Sequence, residues 1–324
     1  MRSFNHVSAR TMEEVCTLLL KHNGKAVLNA GGTDLLLTLK GEHLFNYPEV
    51  VIDIKTISGL DYISEDEKTL KIGALTKLSR IAIHPLLQKS YRTLAEAARS
   101  VATPQIRNAA TIGGNLCQDV RCWYYRYPRH IGGPIRCLRK GDGPCLAVAG
   151  DNRYHAIMGG KRCFAVCPSD IAVALAALDA EIIVIGMNGE RRIPVTDFFS
   201  PLGNALAHDE MVKEIEIQKT SASSQQKFLK FTLRSPVDFA VVSVASVVTV
   251  TEDICGDARI ALGAVAPGPV RAKKAEAFIK GQPINKETAA YAAEEALAGA
   301  RPLGRNAYKI EIAKTLVKRA LSGE

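Results

Sequence analysis

Six of the eight cysteines in this 324-residue chain, Cys117, Cys122, Cys137, Cys145, Cys163 and Cys167, fall within 51 residues; only Cys16 and Cys255 lie outside. The opening residues MRSFNHVSARTMEEV contain no apolar run of signal-peptide length. Clustered thiols in such a chain point to metal or redox chemistry rather than disulfides. The surrounding segment is also basic. Between Gln118 and Cys167 stand nine Lys/Arg against three Asp/Glu, a net +6 out of +9 for the whole chain. Basic footprints for nucleic acid follow a helix face or a recognised module. Neither pattern is present, so no nucleic-acid partner is expected.

Two glycine turns form the second chemical signal. Leu28-Asn29-Ala30-Gly31-Gly32-Thr33-Asp34-Leu35 follows a short apolar strand, and Thr111-Ile112-Gly113-Gly114-Asn115 follows an extended stretch. Each offers consecutive backbone N–H groups with no side chain in the way, an arrangement suited to anions. Two such loops could grip a pyrophosphate from both sides. Neither fits the Rossmann or P-loop pattern, and an ordinary tight turn also explains a lone Gly-Gly pair.

The elements that must carry these residues alternate between helix and strand. Thr11 to Glu14 reads as a capping box opening a helix through His22. Strands are expected at 25–29, 50–54 and 70–74, and helices near 77–83 and 93–100. From Gln118 to Cys167 periodicity disappears, although Trp123, Tyr124, Tyr125 and Tyr127 argue against disorder. Ser169-Asp170 caps a helix through Leu178, and Asn188-Gly189 marks a hairpin between strands at 181–186 and 191–195. The polar stretch TSASSQQ, 220–226, reads as a flexible linker and a domain boundary. Beyond it, strands at 227–233, 239–251 and 258–266 precede helices at 272–280, 286–298 and 305–322. Apolar residues at 47% and charged residues at 23% suit a soluble globular protein. With no apolar stretch long enough to span a membrane, the expected location is cytoplasmic.

LNAGGTDLL, followed by VATPQIRNAATIGGNLC, resembles the paired FAD signature of the xanthine dehydrogenase and CO dehydrogenase flavoprotein family. The likeness continues through KIGALTKLSRIA, KFLKFTLRSPVDFAVVSVA and ALGAVAPGPVRAKKAE, and covers nearly the whole chain except 118–167. It implies an α+β, vanillyl-alcohol-oxidase-like (PCMH-type) FAD-binding fold of two α/β subdomains, with a C-terminal antiparallel-sheet and helix domain. The expected limits are 1–219 for the FAD-binding domain (subdomains about 1–55 and 56–219) and 220–324 for the C-terminal domain. The resemblance further implies that residues Leu28 to Leu35 cradle the FAD pyrophosphate. Thr111, Gly113, Gly114 and Asn115 then hold it from the second loop, with Ala102 close to the flavin, Asp170 as an acidic cofactor contact and Lys230 near the isoalloxazine.

The segment 118–167 departs from the common family pattern. It resembles an insertion in the β subunit of 4-hydroxybenzoyl-CoA reductase that carries a [4Fe-4S] cluster, which implies Cys122, Cys137, Cys145 and Cys163 as ligands. Flanking cations such as Arg121, Arg126, Arg136, Arg139, Lys140 and Arg162 could offset the cluster's charge. Structural zinc on Cys117, Cys122, Cys163 and Cys167 is the competing metal reading. Cys167 is taken as a spare thiol, and His155 is left out because loop histidines are commonly exposed.

No Ser–His–Asp arrangement, paired catalytic carboxylates or HExxH helix asserts itself. The expected function is therefore electron transfer, with no catalytic residue assigned. As implied by the family, the partners are a large molybdenum-cofactor subunit and a small [2Fe-2S] subunit in a heterotrimer, with ferredoxin, NAD or a quinone as the external redox partner. Electrons could run outward from a hydroxylase or inward as in the reductase. Rival classes are a self-sufficient flavin oxidoreductase and a zinc-bound assembly or nucleic-acid-binding module.

Overall fold

A computed structural model describes residues 1–132, 135–221, 223–235 and 237–322. The expected insertion and C-terminal domain thus include residues 133, 134, 222, 236, 323 and 324 that lie outside the described residues. Three main sheets follow one another along the chain. The first is parallel, with Val50–Asp53 between Asn5–Ser8 and Ala26–Asn29. All four residues of its central strand are buried, as a strand covered on both faces requires. The helix Met12–His22 packs on this sheet through Val15 and Leu19. Thr11 caps it by accepting from the Glu14 N–H at 3.1 Å, while Glu14 reaches back to the N–H of Arg10 rather than that of Thr11.

The second sheet is antiparallel, in the order Ile63–Glu65, Thr69–Gly73, Met211–Gln218, Glu181–Gly186, Gly189–Pro194. Its central strand, Met211–Gln218, was not anticipated from the sequence. The charges at Lys213, Glu214 and Glu216 disguise it, because Glu214 and Glu216 are buried. Tyr62 donates to Glu214, while Lys71 and Arg192 pair with Glu216. Helix Asp170–Ala177, capped by Ser169 as expected, is wholly buried and packs against the strands Val242–Thr251 and Ile254–Gly263 of the next sheet.

The third sheet, Ser224–Phe231, Val242–Thr251, Ile254–Gly263 and Val270–Arg271, is antiparallel throughout. Alternation along its strands covers both faces. Ala245, Val247 and Ala261 join the core of the middle sheet, whereas Val244, Val248, Ile260 and Leu262 face the closing helices Lys273–Ile279, Lys286–Leu297 and Tyr308–Ser322. The expected linker is shorter than read: Ser224, Gln225 and Gln226 already belong to the first strand. Gln226 is buried because its amide donates to the Ser90 carbonyl at 2.8 Å, a partner 136 residues away.

Between residues 118 and 167 the described elements are only a short helix, Arg129–Gly132, and a 3-10 turn, Leu138–Lys140. The segment is fastened to both sides of the molecule. Asp34 receives Arg121 and Arg126 at 2.7 and 2.9 Å. From the C-terminal side, Asn306 donates to the carbonyls of His155 and Ala156, and the Arg305 N–H to Asn152.

Candidate functional site

The two glycine turns meet. Gly31 lies against the backbone of Ala109 and Ala110, so closely that a Cβ on it would stand 2.3 Å from the Ala109 carbonyl oxygen. The second turn is held in place by its own backbone. Ile112 donates to Thr76, Gly113 to Ala74, and Gly114 to the Thr111 hydroxyl that caps the helix Ile112–Leu116. The two turns therefore differ in what they offer a ligand. Among the described residues no acceptor takes the N–H groups of Gly31, Gly32 or Thr33, while those of Gly113 and Gly114 are already engaged. A symmetrical two-sided grip through N–H groups is not what the backbone forms.

A cavity of about 750 Å³ opens where the turns meet, within the range of clefts that bury cofactor-sized ligands. Of the residues expected at a cofactor site, Leu28, Ala30, Gly31, Gly32, Thr33, Asp34 and Leu35 line it, as do Ala102, Thr111, Gly113, Gly114 and Asn115. Asn29 does not, although its buried Oδ1 has no partner among the described residues. Asp34 lines the wall with its carboxylate turned into an ion cluster. Burial pushes that carboxyl up, but Arg121, Arg126 and the Asp119 N–H outweigh burial and hold it below the usual range.

Asp170 and Lys230 also stand behind the wall rather than in it. Lys230 Nζ donates to Asp170 Oδ2 at 2.8 Å and to the Ser100 carbonyl at 3.0 Å, and both side chains are under a tenth exposed. Burial raises the Asp170 carboxyl, opposed by Lys230. Lys230 thus holds the carbonyl that ends the helix Arg92–Ser100, two residues before Ala102, which lines the cavity with a left-handed φ of 43°. Arg107 holds the turn that follows, donating to the Val101 and Ala102 carbonyls at 2.8 and 2.9 Å. Arg107 was missed in sequence; its only signal is its place in the stretch PQIRNAATIGG.

A second, small cavity of about 20 Å³ lies in the insertion, lined by Cys122, Cys137, Cys145 and Cys163. Cys122, Cys137 and Cys163 gather around Val120, Tyr125 and Ala165, and Cys145 reaches the same cavity. Cys117 and Cys167 line the large cavity instead. The zinc set is thus divided between two places. Among the described residues no group of three or more His, Cys, Asp or Glu converges closely enough to hold one metal ion. Ligands on a single zinc stand about 3.8 Å apart, as a tetrahedron of ~2.3 Å bonds requires.

His155 departs from its expected exposure. It is 2% exposed, and its Nε2 lies 3.2 Å from Cys122 Sγ. Burial, reinforced by the nearby Lys309, pushes its pKa down to about 4. The basic residues of the segment divide into two groups. Arg129, Arg136, Arg153, Lys161 and Arg162 are exposed. Arg121, Arg126 and Arg139 are mostly buried against Asp34 and Asp119. Among the described residues no helix is long and apolar enough to cross a membrane.

A ligand-sized cleft between paired glycine turns, set in a parallel–antiparallel scaffold with a separate sheet-and-helix domain, defines an FAD-binding fold. Residues 2–219 match the family model for the FAD-binding domain in molybdopterin dehydrogenase, and residues 227–323 match that for the CO dehydrogenase flavoprotein C-terminal domain. The chain belongs to this flavoprotein family and is an FAD-binding oxidoreductase subunit. Among curated relatives, it is 31% identical to the nicotinate dehydrogenase FAD-subunit of Eubacterium barkeri, over 89% of this chain and 83% of that one. It is also 31% identical to an aldehyde oxidoreductase FAD-binding subunit of Escherichia coli, over 99% and 98%. Among solved structures, a carbon monoxide dehydrogenase from Hydrogenophaga pseudoflava superposes with a TM-score of 0.79 at 28% identity, covering 99% of this chain and 96% of that one. The α+β, PCMH-type architecture expected from the sequence is therefore the observed one.

Proposed function

We propose that the chain carries FAD in the large cavity and a [4Fe-4S] cluster on Cys122, Cys137, Cys145 and Cys163, and relays electrons within a molybdenum hydroxylase complex. The observation that carries this reading is that four cysteines line one cavity, next to the glycine-built cleft of a flavoprotein fold. When bound, FAD supplies two-electron exchange and the cluster supplies one-electron exchange.

The chain's own residues have distinct tasks. The unpaired N–H groups of Gly31, Gly32 and Thr33 suit the pyrophosphate. Gly113 and Gly114 let the second turn pack closely, and Thr111 and Asn115 present polar groups from it. Arg107 holds the Val101–Ala102 turn in the wall and Lys230 fixes the Ser100 carbonyl just before it, so Lys230 would act on the flavin through backbone position and buried charge. Asp170 balances that charge.

The donor set fits a cluster better than a single ion. In a four-iron cluster each thiolate binds a different iron, so the sulfurs stand farther apart than ligands converging on one centre. A cavity of about 20 Å³ is smaller than a four-iron cube, so Cys122, Cys137, Cys145 and Cys163 would turn outward to hold one. Binding supplies folding energy to a segment with little core of its own. The partners are a large molybdenum-cofactor subunit and a small [2Fe-2S] subunit, with ferredoxin, NAD or a quinone outside the complex. Substrate choice then rests with the large subunit.

The test is flavin, iron, sulfide and zinc analysis of the full chain purified without oxygen. The reading expects one FAD and about four irons per chain, with iron lost and FAD kept in Cys137→Ser. Zinc without iron would remove the cluster assignment and leave the flavin subunit. Neither flavin nor iron after reconstitution would overturn both.

A further inference from the structure

We propose that Arg139 is a charge shared by the two cavities, raising the reduction potentials of the flavin and the cluster together. The inference rests on the assignment of FAD to the large cavity and the cluster to the small one. Among the described residues Arg139 is the one that lines both. Its side chain is only 8% exposed. Nη1 lies 3.1 Å from Asp119 Oδ1, Nη2 donates to the Pro201 carbonyl at 3.1 Å, and the guanidinium sits 5.6 Å from the Tyr125 ring centre. Tyr125 in turn donates its hydroxyl to the other Asp119 oxygen. Arg139 Nε is buried with no acceptor among the described residues.

Arg121 and Arg126 also line the large cavity but not the small one, and both pair with Asp34. Arg139 is the cation in contact with both spaces. A guanidinium keeps its proton at any accessible pH, so its charge is the same whichever centre is reduced. One-electron reduction of the cluster adds one negative charge, and two-electron reduction of the flavin with uptake of one proton from solvent leaves the hydroquinone anion; a fixed cation would stabilise both. Removing the cation leaves the Asp119 carboxylate in the wall without its charge partner, and both reduced forms lose stability.

The experiment is a reductive titration of the full chain, followed optically for the flavin and by electron paramagnetic resonance for the cluster. Arg139→Gln is expected to lower the reduced-to-oxidised ratio of the cluster about tenfold at fixed potential, about 59 mV for one electron. That is the scale of a unit charge ~10 Å away at an effective dielectric of about 20. The flavin shifts in the same direction. Arg139→Lys keeps both potentials near the parent values, and Arg139→Gln combined with Asp119→Asn recovers most of the loss. If Arg139→Gln does not fold, Asp119→Asn alone is expected to raise both potentials. With flavin and iron both bound, unchanged potentials, or a shift in only one of them, would overturn the inference and leave the functional reading intact. A parent chain lacking flavin or iron would overturn the functional reading itself.

Discussion

Gly31→Ala is the smallest change that reaches the centre of the flavin site. The added methyl would stand 2.3 Å from the Ala109 carbonyl oxygen and 2.9 Å from both Ala109 C and Ala110 Cα. All three are backbone atoms, so no side chain can swing aside to make room. Restoring ordinary contact requires the two glycine turns to part by roughly 1 Å, and overpacking of this kind costs about 1–3 kcal/mol. The cost falls on the contact that brings the turns together at the cavity. FAD affinity should therefore fall by about 5- to 150-fold, since each 1.4 kcal/mol is a factor of ten. The assay is titration of the apoprotein with FAD by flavin fluorescence, with thermal unfolding of the same sample. Gly304→Ala, where a Cβ meets open space, is the control. FAD binding to Gly31→Ala within twofold of the parent would refute the role of this contact, and so would a fall in stability with affinity unchanged.

Two further predictions concern buried charges. Lys230→Met strands the Asp170 carboxylate in the core and should destabilise the chain by about 3–5 kcal/mol, as breaking a buried pair does; adding Asp170→Asn should recover part of it, measured by denaturant unfolding, and equal loss in the single and double variants would contradict the pairing. Lys309 is fully buried between the carbonyls of His155 and Ala264, and burial lowers its pKa to about 7. An unfolded lysine keeps its proton to about pH 10.4, so between about pH 7 and 10.4 the unfolded state binds more protons and stability rises with pH; below 7 this group contributes no slope. From pH 7 to 9 the parent should gain on the order of 2 kcal/mol that Lys309→Met does not, and parallel slopes would contradict the lowered pKa of the buried lysine.

What the sequence made legible was local. Helix caps at Thr11 and Ser169 and the two glycine turns each carry their signal within a few residues. What escaped depends on partners far along the chain. Glu214 and Glu216 look like exposed positions until Tyr62, Lys71 and Arg192 meet them in the sheet. Gln226 reads as linker until Ser90 offers a carbonyl. Asp34 sits in the first glycine turn, yet its charge is taken by Arg121 and Arg126, 87 and 92 residues away. His155 reads as a surface histidine because nothing nearby in sequence reveals that Asn306 and Lys309 pin its carbonyl and Cys122 meets its ring. The same long-range pairing takes Arg121, Arg126 and Arg139 of the basic insertion inward.

The central claim, two redox sites sharing one chain, is tested most directly by a crystal structure of the anaerobically purified chain with anomalous data at the iron edge. The account predicts iron signal between Cys122, Cys137, Cys145 and Cys163, and FAD with its pyrophosphate over Gly31, Gly32 and Thr33. Iron bound elsewhere, a lone zinc at these cysteines, or flavin outside the large cavity would contradict it.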